Sequence, residues 1–286
     1  MTGVRVMGVS VTGVSAGPGV PVSSMPVSNV PASADTAPVL SIRGLVKRFG
    51  GLTATDHVDF DVMPGEVHAI IGPNGAGKTT LISQLAGELA PDQGSIVFNG
   101  RDISADSVPA RSLLGLGRSY QISQVFGDFS ALENVMLAVQ AHAGSSFSFF
   151  TPAISEAALT GPAAEALALV GLGARAHERA ANMAHGEHRQ LELAMTLATA
   201  PKLLLLDEPM AGMSGAESEA MIGLIKRLKG RYAIALVEHD MDAVFALADR
   251  ITVLVYGKVI ACGAPADIRN NPAVKEAYLG DQEERL

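Results

Sequence analysis

Apolar and polar residues alternate in period two over Val39-Leu40-Ser41-Ile42, Val58-Asp59-Phe60-Asp61-Val62 and Ser95-Ile96-Val97-Phe98-Asn99. That spacing predicts strands with one buried face, and Pro64-Gly65 and Asn99-Gly100 supply turns between antiparallel neighbours. A second kind of run is apolar throughout. Val67-His68-Ala69-Ile70-Ile71 reads as a buried strand, and Leu203-Leu204-Leu205-Leu206 as a central parallel strand; residues 233–237 and 251–255 also read as strands. Helical spacing appears elsewhere. Met221, Leu224, Ile225 and Leu228 share one face of a helix, Leu191, Met195 and Ala198 share another, and residues 81–86 continue as a helix. Residues 105–195 are mostly helical in character, for example over 163–170. The loop Gly144-Ser145-Ser146-Phe147-Ser148-Phe149-Phe150 interrupts them, and its aromatics suit either a partner contact or simple packing. The pattern predicts an α/β core with an antiparallel β-subdomain beside it and a helical block inserted within it.

Between the buried strand at 67–71 and the helix at 81–86 stands Gly72-Pro73-Asn74-Gly75-Ala76-Gly77-Lys78-Thr79-Thr80, which fits G-x-x-x-x-G-K-[ST]. Such a turn points successive backbone N–H groups into one concavity that suits a polyphosphate. Glycine allows the backbone to approach an anion closely. Lys78 is expected to reach the β- and γ-phosphates, and the Thr79 hydroxyl to sit on Mg²⁺. About 130 residues on, the run at 203–206 ends in Asp207-Glu208-Pro209, which places carboxylates at the C-terminal edge where α/β sheets bind ligands. Asp207 is expected to hold Mg²⁺, and Glu208 to polarise an attacking water. A positioned base of this kind contributes about 10²–10⁴ in rate.

Composition narrows the picture. Hydrophobic residues make up 48% of the 286, yet no run approaches the roughly 18–20 apolar residues of a membrane span. The chain is therefore expected to be soluble and to dock onto a membrane protein at most. A net charge of −8 argues against a nucleic-acid binder, which presents a basic face. Cys262 is the only cysteine, so neither a disulfide nor a thiolate metal site is available. Lying among Val259, Ile260 and Ala261, it reads as a buried structural residue in a reducing, cytoplasmic compartment. Residues 1–37 are rich in Val, Ser, Gly and Pro, with Arg5 and Asp35 as their only charges. Gly8, Gly13 and Gly17-Pro18-Gly19 break any signal-peptide core, so a disordered extension before a domain at 38–286 is expected. Met7 and Met25 are internal start candidates.

Two further strings matter. Ala235-Leu236-Val237-Glu238-His239-Asp240 ends a strand with a histidine that can reach a γ-phosphate from beside Glu208. Asn182-Met183-Ala184-His185-Gly186-Glu187 opens the helix of Leu191 and Met195 with a glycine, a possible anion site at a helix N-terminus. In order, Phe49 in Arg48-Phe49-Gly50-Gly51, the glycine-rich loop, Gln121, the string at 183–187, Asp207-Glu208 and His239 resemble an ABC-transporter ATP-binding cassette over about residues 38–280. Arg48-Phe49-Gly50-Gly51-Leu52, Val237-Glu238-His239-Asp240-Met241 and the tail from Asn270 to Gly280 are similar to the branched-chain amino-acid uptake group.

The resemblance implies a P-loop NTPase (RecA-like) core, with the helical subdomain at about 105–193, and ATP and Mg²⁺ as cofactors. Two cassettes, identical or paralogous, would close head to tail on two ATP molecules, each held between one Walker A loop and the other chain's signature. Phe49 would stack on adenine, Gln121 would touch Mg²⁺ and the attacking water, and His239 would stabilise the γ-phosphate. The partners implied are transmembrane permease subunits and, indirectly, a periplasmic or lipoprotein solute-binding protein, with the chain on the cytoplasmic membrane face. The signature departs from Leu-Ser-Gly-Gly-Gln: Ala184 has no hydroxyl and Glu187 adds a negative charge. Loss of a charge-assisted hydrogen bond of about 1.5–3 kcal/mol is expected to weaken that composite site roughly ten- to a hundred-fold. The loop at 211–214 also lacks the aspartate common there. A lipopolysaccharide-exporter ATPase shares a similar tail, and a non-transport ABC ATPase is a third reading; the signature and the Glu238–Met241 string favour the importer. No Asn-Lys-x-Asp string occurs to suit a GTPase.

Overall fold

Two sheets, one antiparallel and one mostly parallel, frame the fold in the computed structural model, which describes residues 37–119, 125–143 and 157–283. The expectations for residues 1–36, for Gln121 and for the loop at 144–150 lie outside that range. The first two strands, β1 (Leu40–Phe49) and β2 (Leu52–Val62), form a hairpin that turns at Gly50-Gly51. β3 (Val67–Ile71) runs into the glycine-rich loop and α1 (Lys78–Ala86). β4 (Gln93–Phe98) and the short β5 (Arg101–Asp102) complete the antiparallel sheet in the order β2-β1-β4-β5. α2 (Val108–Leu113) then leads to β6 (Leu116–Ser119), a strand inside the range that periodicity had marked as helical.

The helical body follows: α3 (Ala131–Ala143), α4 (Ala157–Val170) and α5 (His185–Leu197). The chain returns through β7 (Leu203–Asp207), α6 (Gly215–Leu228), β8 (Ala233–Val237), α7 (Met241–Leu247), β9 (Arg250–Val255) and β10 (Lys258–Gly263). It ends in α8 (Pro265–Asn270) and α9 (Pro272–Glu283). The main sheet has the order β10-β9-β3-β8-β7-β6, parallel except for β10.

Apolar runs become central strands because both faces find a layer to pack on. In β7, Leu203 and Leu205 face a core shared with α1 (Leu81, Ile82, Leu85) and the antiparallel sheet (Leu40, Ile42, Ile96). Leu204 and Leu206 face the opposite layer with Leu191 of α5 and Met221, Leu224, Ile225 and Leu228 of α6. β8 splits in the same way, with Ala233, Ala235 and Val237 on one side and Ile234 and Leu236 on the other. Cys262 departs from expectation. β10 is the edge strand, its residues alternate in exposure, and the thiol falls on the open side, where it accepts from Thr252 Oγ1 at 3.3 Å.

Candidate nucleotide site

Strand order decides the geometry. β3, β8 and β7 are neighbours, so the loop after β3, the turn after β8 and the turn after β7 open on one edge of the sheet. Register brings Asp207 opposite Val237, and the Glu208 N–H donates to Val237 O at 2.9 Å. Glu208 has φ of 50°, a left-handed backbone uncommon for a residue with a β-carbon. His239 Nδ1 stands 3.9 Å from Glu208 Oε1, so the glutamate and the histidine picked out from sequence are side by side.

The glycine-rich loop owes its glycines first to the protein around it. A β-carbon on Gly72 would lie 2.0 Å from Leu254 O, and one on Gly77 would lie 2.1 Å from Ala54 O. The loop is thus wedged between β9 and β2, and no larger residue fits at either point. Gly75 differs, since its β-carbon meets nothing within 4 Å and only its φ of 77° favours glycine. Lys78 is buried and lays its ammonium along the loop, donating to Gly72 O at 2.7 Å and Pro73 O at 3.0 Å. Pro73, Asn74, Ala76, Thr79 and Thr80 complete the loop, with Thr79 exposed where α1 begins. The Gly257 N–H donates to Ala76 O at 2.9 Å and Gly257 O accepts from the Asp56 N–H at 2.8 Å, which ties β2 to the loop. Phe49, at the tip of the β1–β2 hairpin, is half exposed, with Lys47 Nζ 5.8 Å from its ring centre.

Asp207 is buried, and burial pushes its carboxyl above the ordinary carboxylate range. Arg118 on β6 opposes this, with Nη2 3.6 Å from Asp207 Oδ2 and Nη1 2.5 Å from Glu88 Oε2. Neither Asp207 oxygen has a hydrogen-bond partner among the described residues. A buried carboxylate with both oxygens unsatisfied fits a divalent cation, and Mg²⁺ commonly takes only one or two protein oxygens, with phosphates and water supplying the rest. No group of three or more His, Cys, Asp or Glu gathers as a metal cage among the described residues. The residues present therefore suit Mg²⁺ bound together with a nucleotide.

Ala184–Glu187 form a second group at the start of α5. Ala184 occupies the N-cap in an extended conformation but offers no acceptor. Glu187 supplies half of a capping box, its Oε2 accepting from Ala184 N at 2.9 Å. The extra charge of Glu187 is not bare, because Arg175 pairs with it and with Glu178. Gly186 N donates to Glu217 Oε1 at 3.0 Å, and a β-carbon on Gly186 would sit 2.7 Å from that oxygen. Glu217 also caps α6 through Ser214 N and Oγ, which hydrogen-bonds the signature to the loop that follows Glu208. His185 is exposed beside this junction. Glu238 buttresses the same region from β8, accepting from Met210 N at 3.0 Å and His239 N at 3.1 Å.

A sequence profile describing ABC transporters matches residues 55–211, more than half of the chain. The chain belongs to the ABC transporter family. Within it, a second profile, that of the branched-chain amino acid ATP-binding cassette transporter, matches residues 258–284. The chain is 36% identical over 255 residues to the high-affinity branched-chain amino acid transport ATP-binding protein LivG of Escherichia coli (strain K12), spanning 85% of this chain and 98% of LivG. It is 38% identical over 253 residues to the corresponding ATP-binding protein BraF of Pseudomonas aeruginosa, with the same coverage. Among solved structures, an ATP-binding cassette of an ABC transporter in its ADP conformation superposes with a TM-score of 0.76 at 27% identity, over 86% of this chain and 100% of that one. A nucleotide-free cassette gives 0.75 at 28%, over 85% and 99%. This cassette is an ATP-binding subunit of the ATPase class, and no described helix is long and apolar enough to cross a membrane. The exporter reading is not favoured by these relatives.

Proposed function

We propose that the chain powers an importer of branched-chain or related amino acids, amides or small carboxylates, hydrolysing ATP with Mg²⁺ on the cytoplasmic face of the membrane. The match of residues 258–284 to the branched-chain profile carries the solute assignment, because that segment lies outside the general nucleotide machinery. Lys78 and the loop N–H groups bind the phosphates, Phe49 stacks on adenine, and Thr79, Asp207 and Gln121 hold Mg²⁺, which neutralises developing charge on the phosphates when bound. Glu208 takes the proton of the attacking water, and His239, 3.9 Å away, steadies the γ-phosphate. Ala184, His185, Gly186 and Glu187 face the triphosphate held by a second cassette, identical or paralogous. Closure on ATP and reopening after hydrolysis drive the permease subunits between two states, while a solute-binding protein delivers the solute from outside.

The test is uptake of labelled leucine, and of a short amide and a small carboxylate, in cells whose only copy carries Lys78→Ala. Loss of uptake of one of these classes, with permease levels maintained, is the expected result. Undiminished uptake of all three refutes the solute assignment.

A further inference from the structure

Three carboxylates converge on the start of α5. Glu187 lies against Ala184 N–H, Glu217 accepts from Gly186 N–H, and Glu178 shares a guanidinium with Glu187. The first turn of a helix favours anions, and here its own side chains supply them. Any further anion reaching this turn meets negative charge unless that charge is cancelled. The cation paired with Glu187 is Arg175, from the turn at 173–175 that precedes α5. Its guanidinium donates to Glu187 Oε1 through Nη1, and to Glu178 Oε2 through Nε at 2.7 Å. The fork of donors fits two carboxylates at once, a geometry that a single ammonium reproduces less well. Glu187 is thereby turned sideways, one oxygen on Arg175 and the other on the Ala184 N–H.

We infer that Arg175 is a positioning residue for the composite ATP site: it neutralises Glu187 and pins it to the helix cap, so that a triphosphate carried by a second cassette can approach α5. The inference rests on the proposed placement of residues 184–187 opposite that triphosphate. It goes further by giving a role to a residue outside the signature, and by explaining how a glutamate is tolerated where its charge would otherwise repel the phosphates. Nucleotide binding by the chain's own glycine-rich loop does not pass through Arg175.

The test uses the full chain carrying Glu208→Gln, so that ATP is bound without being turned over, and reads ATP-dependent self-pairing by sedimentation velocity. Adding Arg175→Met is expected to weaken pairing about tenfold or more, the scale of one uncancelled charge near an anion. ATP affinity of the single chain should remain within twofold. Adding Glu187→Gln to Arg175→Met should restore most of the pairing, and Arg175→Lys should stay within about threefold of the parent. The deficit of Arg175→Met should shrink as salt rises from 0.1 M to 1 M, where the screening length falls from about 10 Å to about 3 Å. A purely structural role would lower the melting temperature and be rescued neither by Glu187→Gln nor by salt. Pairing by the Arg175→Met chain equal to the parent, or absence of rescue in the double variant, overturns the inference. If Arg175→Met does not fold, Arg175→Gln with and without Glu187→Gln gives the same comparison. Failure of the Glu208→Gln parent to pair with itself counts against a composite site built from two identical cassettes, so the two failures are distinguishable.

Discussion

Ala184→Ser addresses the altered signature directly, because the surrounding hydrogen bonds fix what a serine there can do. Ala184 already has N-cap geometry, and Glu187 already accepts from its N–H. The Gly186 N–H is taken by Glu217, so the serine oxygen is left to accept from the Glu187 N–H and complete the capping box. Replacing alanine by serine at an N-cap is worth about 1 kcal/mol. For a chain of this size that raises the melting temperature by about 2–4 °C. The hydroxyl proton stays available to a phosphate from a second cassette, where a charge-assisted bond of about 1.5–3 kcal/mol corresponds to roughly ten- to a hundred-fold tighter ATP-driven pairing. Two measurements on one variant separate the effects: melting of the nucleotide-free chain, and the ATP concentration at which paired cassettes form. An unchanged melting temperature refutes the capping geometry. A higher melting temperature with unchanged pairing shows that Ala184 does not face the opposite triphosphate.

Gly77→Ala and Gly75→Ala should differ sharply. The first drives a β-carbon against Ala54 O and should cost several kcal/mol with loss of ATP binding, whereas the second meets only the left-handed backbone penalty of about 1–2 kcal/mol, both read by denaturant melts. His68 is buried between Asp61 O and Thr252 Oγ1, and burial pushes its imidazole down to about 3. Its folded value lies below the unfolded value of about 6.5, so the neutral form is favoured on folding. The stabilisation is full above pH 6.5 and is lost as pH falls toward 3, by about 1.4 kcal/mol per pH unit. In His68→Gln that contribution to the slope of stability against pH should vanish; an identical slope in the variant would show that His68 is not its source.

The strands with unbroken apolar runs were legible because both of their faces are buried: residues 67–71 and 233–237 match β3 and β8 end to end, and β7 adds only Asp207. β1 extends seven residues beyond the alternation that marked it, since register shifts after Ile42, Leu45 and Lys47 break the period of two while the pairing with β2 continues to Phe49. β6 carries no periodic signal in Leu116-Gly117-Arg118-Ser119 and is a strand only because β7 lies beside it. At the site, residues within one motif were readable from spacing. The residues that hold motifs in place were not. Glu217 reaches Gly186 across 31 residues, Glu238 reaches Met210 across 28, and Arg175 reaches Glu187 across 12, distances at which no local period operates. The close passage of β9 and β2, which requires glycine at 72 and 77, carries no signal in the motif itself.

In the proposed reaction Glu208, beside Asp207 and His239 at the edge of the sheet, is the base that activates water on ATP. Glu208→Gln keeps the shape and removes the base, so the most direct measurement is ATP turnover and ATP binding on the same purified variant. ATP should still bind with near-parental affinity while hydrolysis falls by about 10²-fold or more. Hydrolysis within threefold of the parent, with ATP bound, would contradict it.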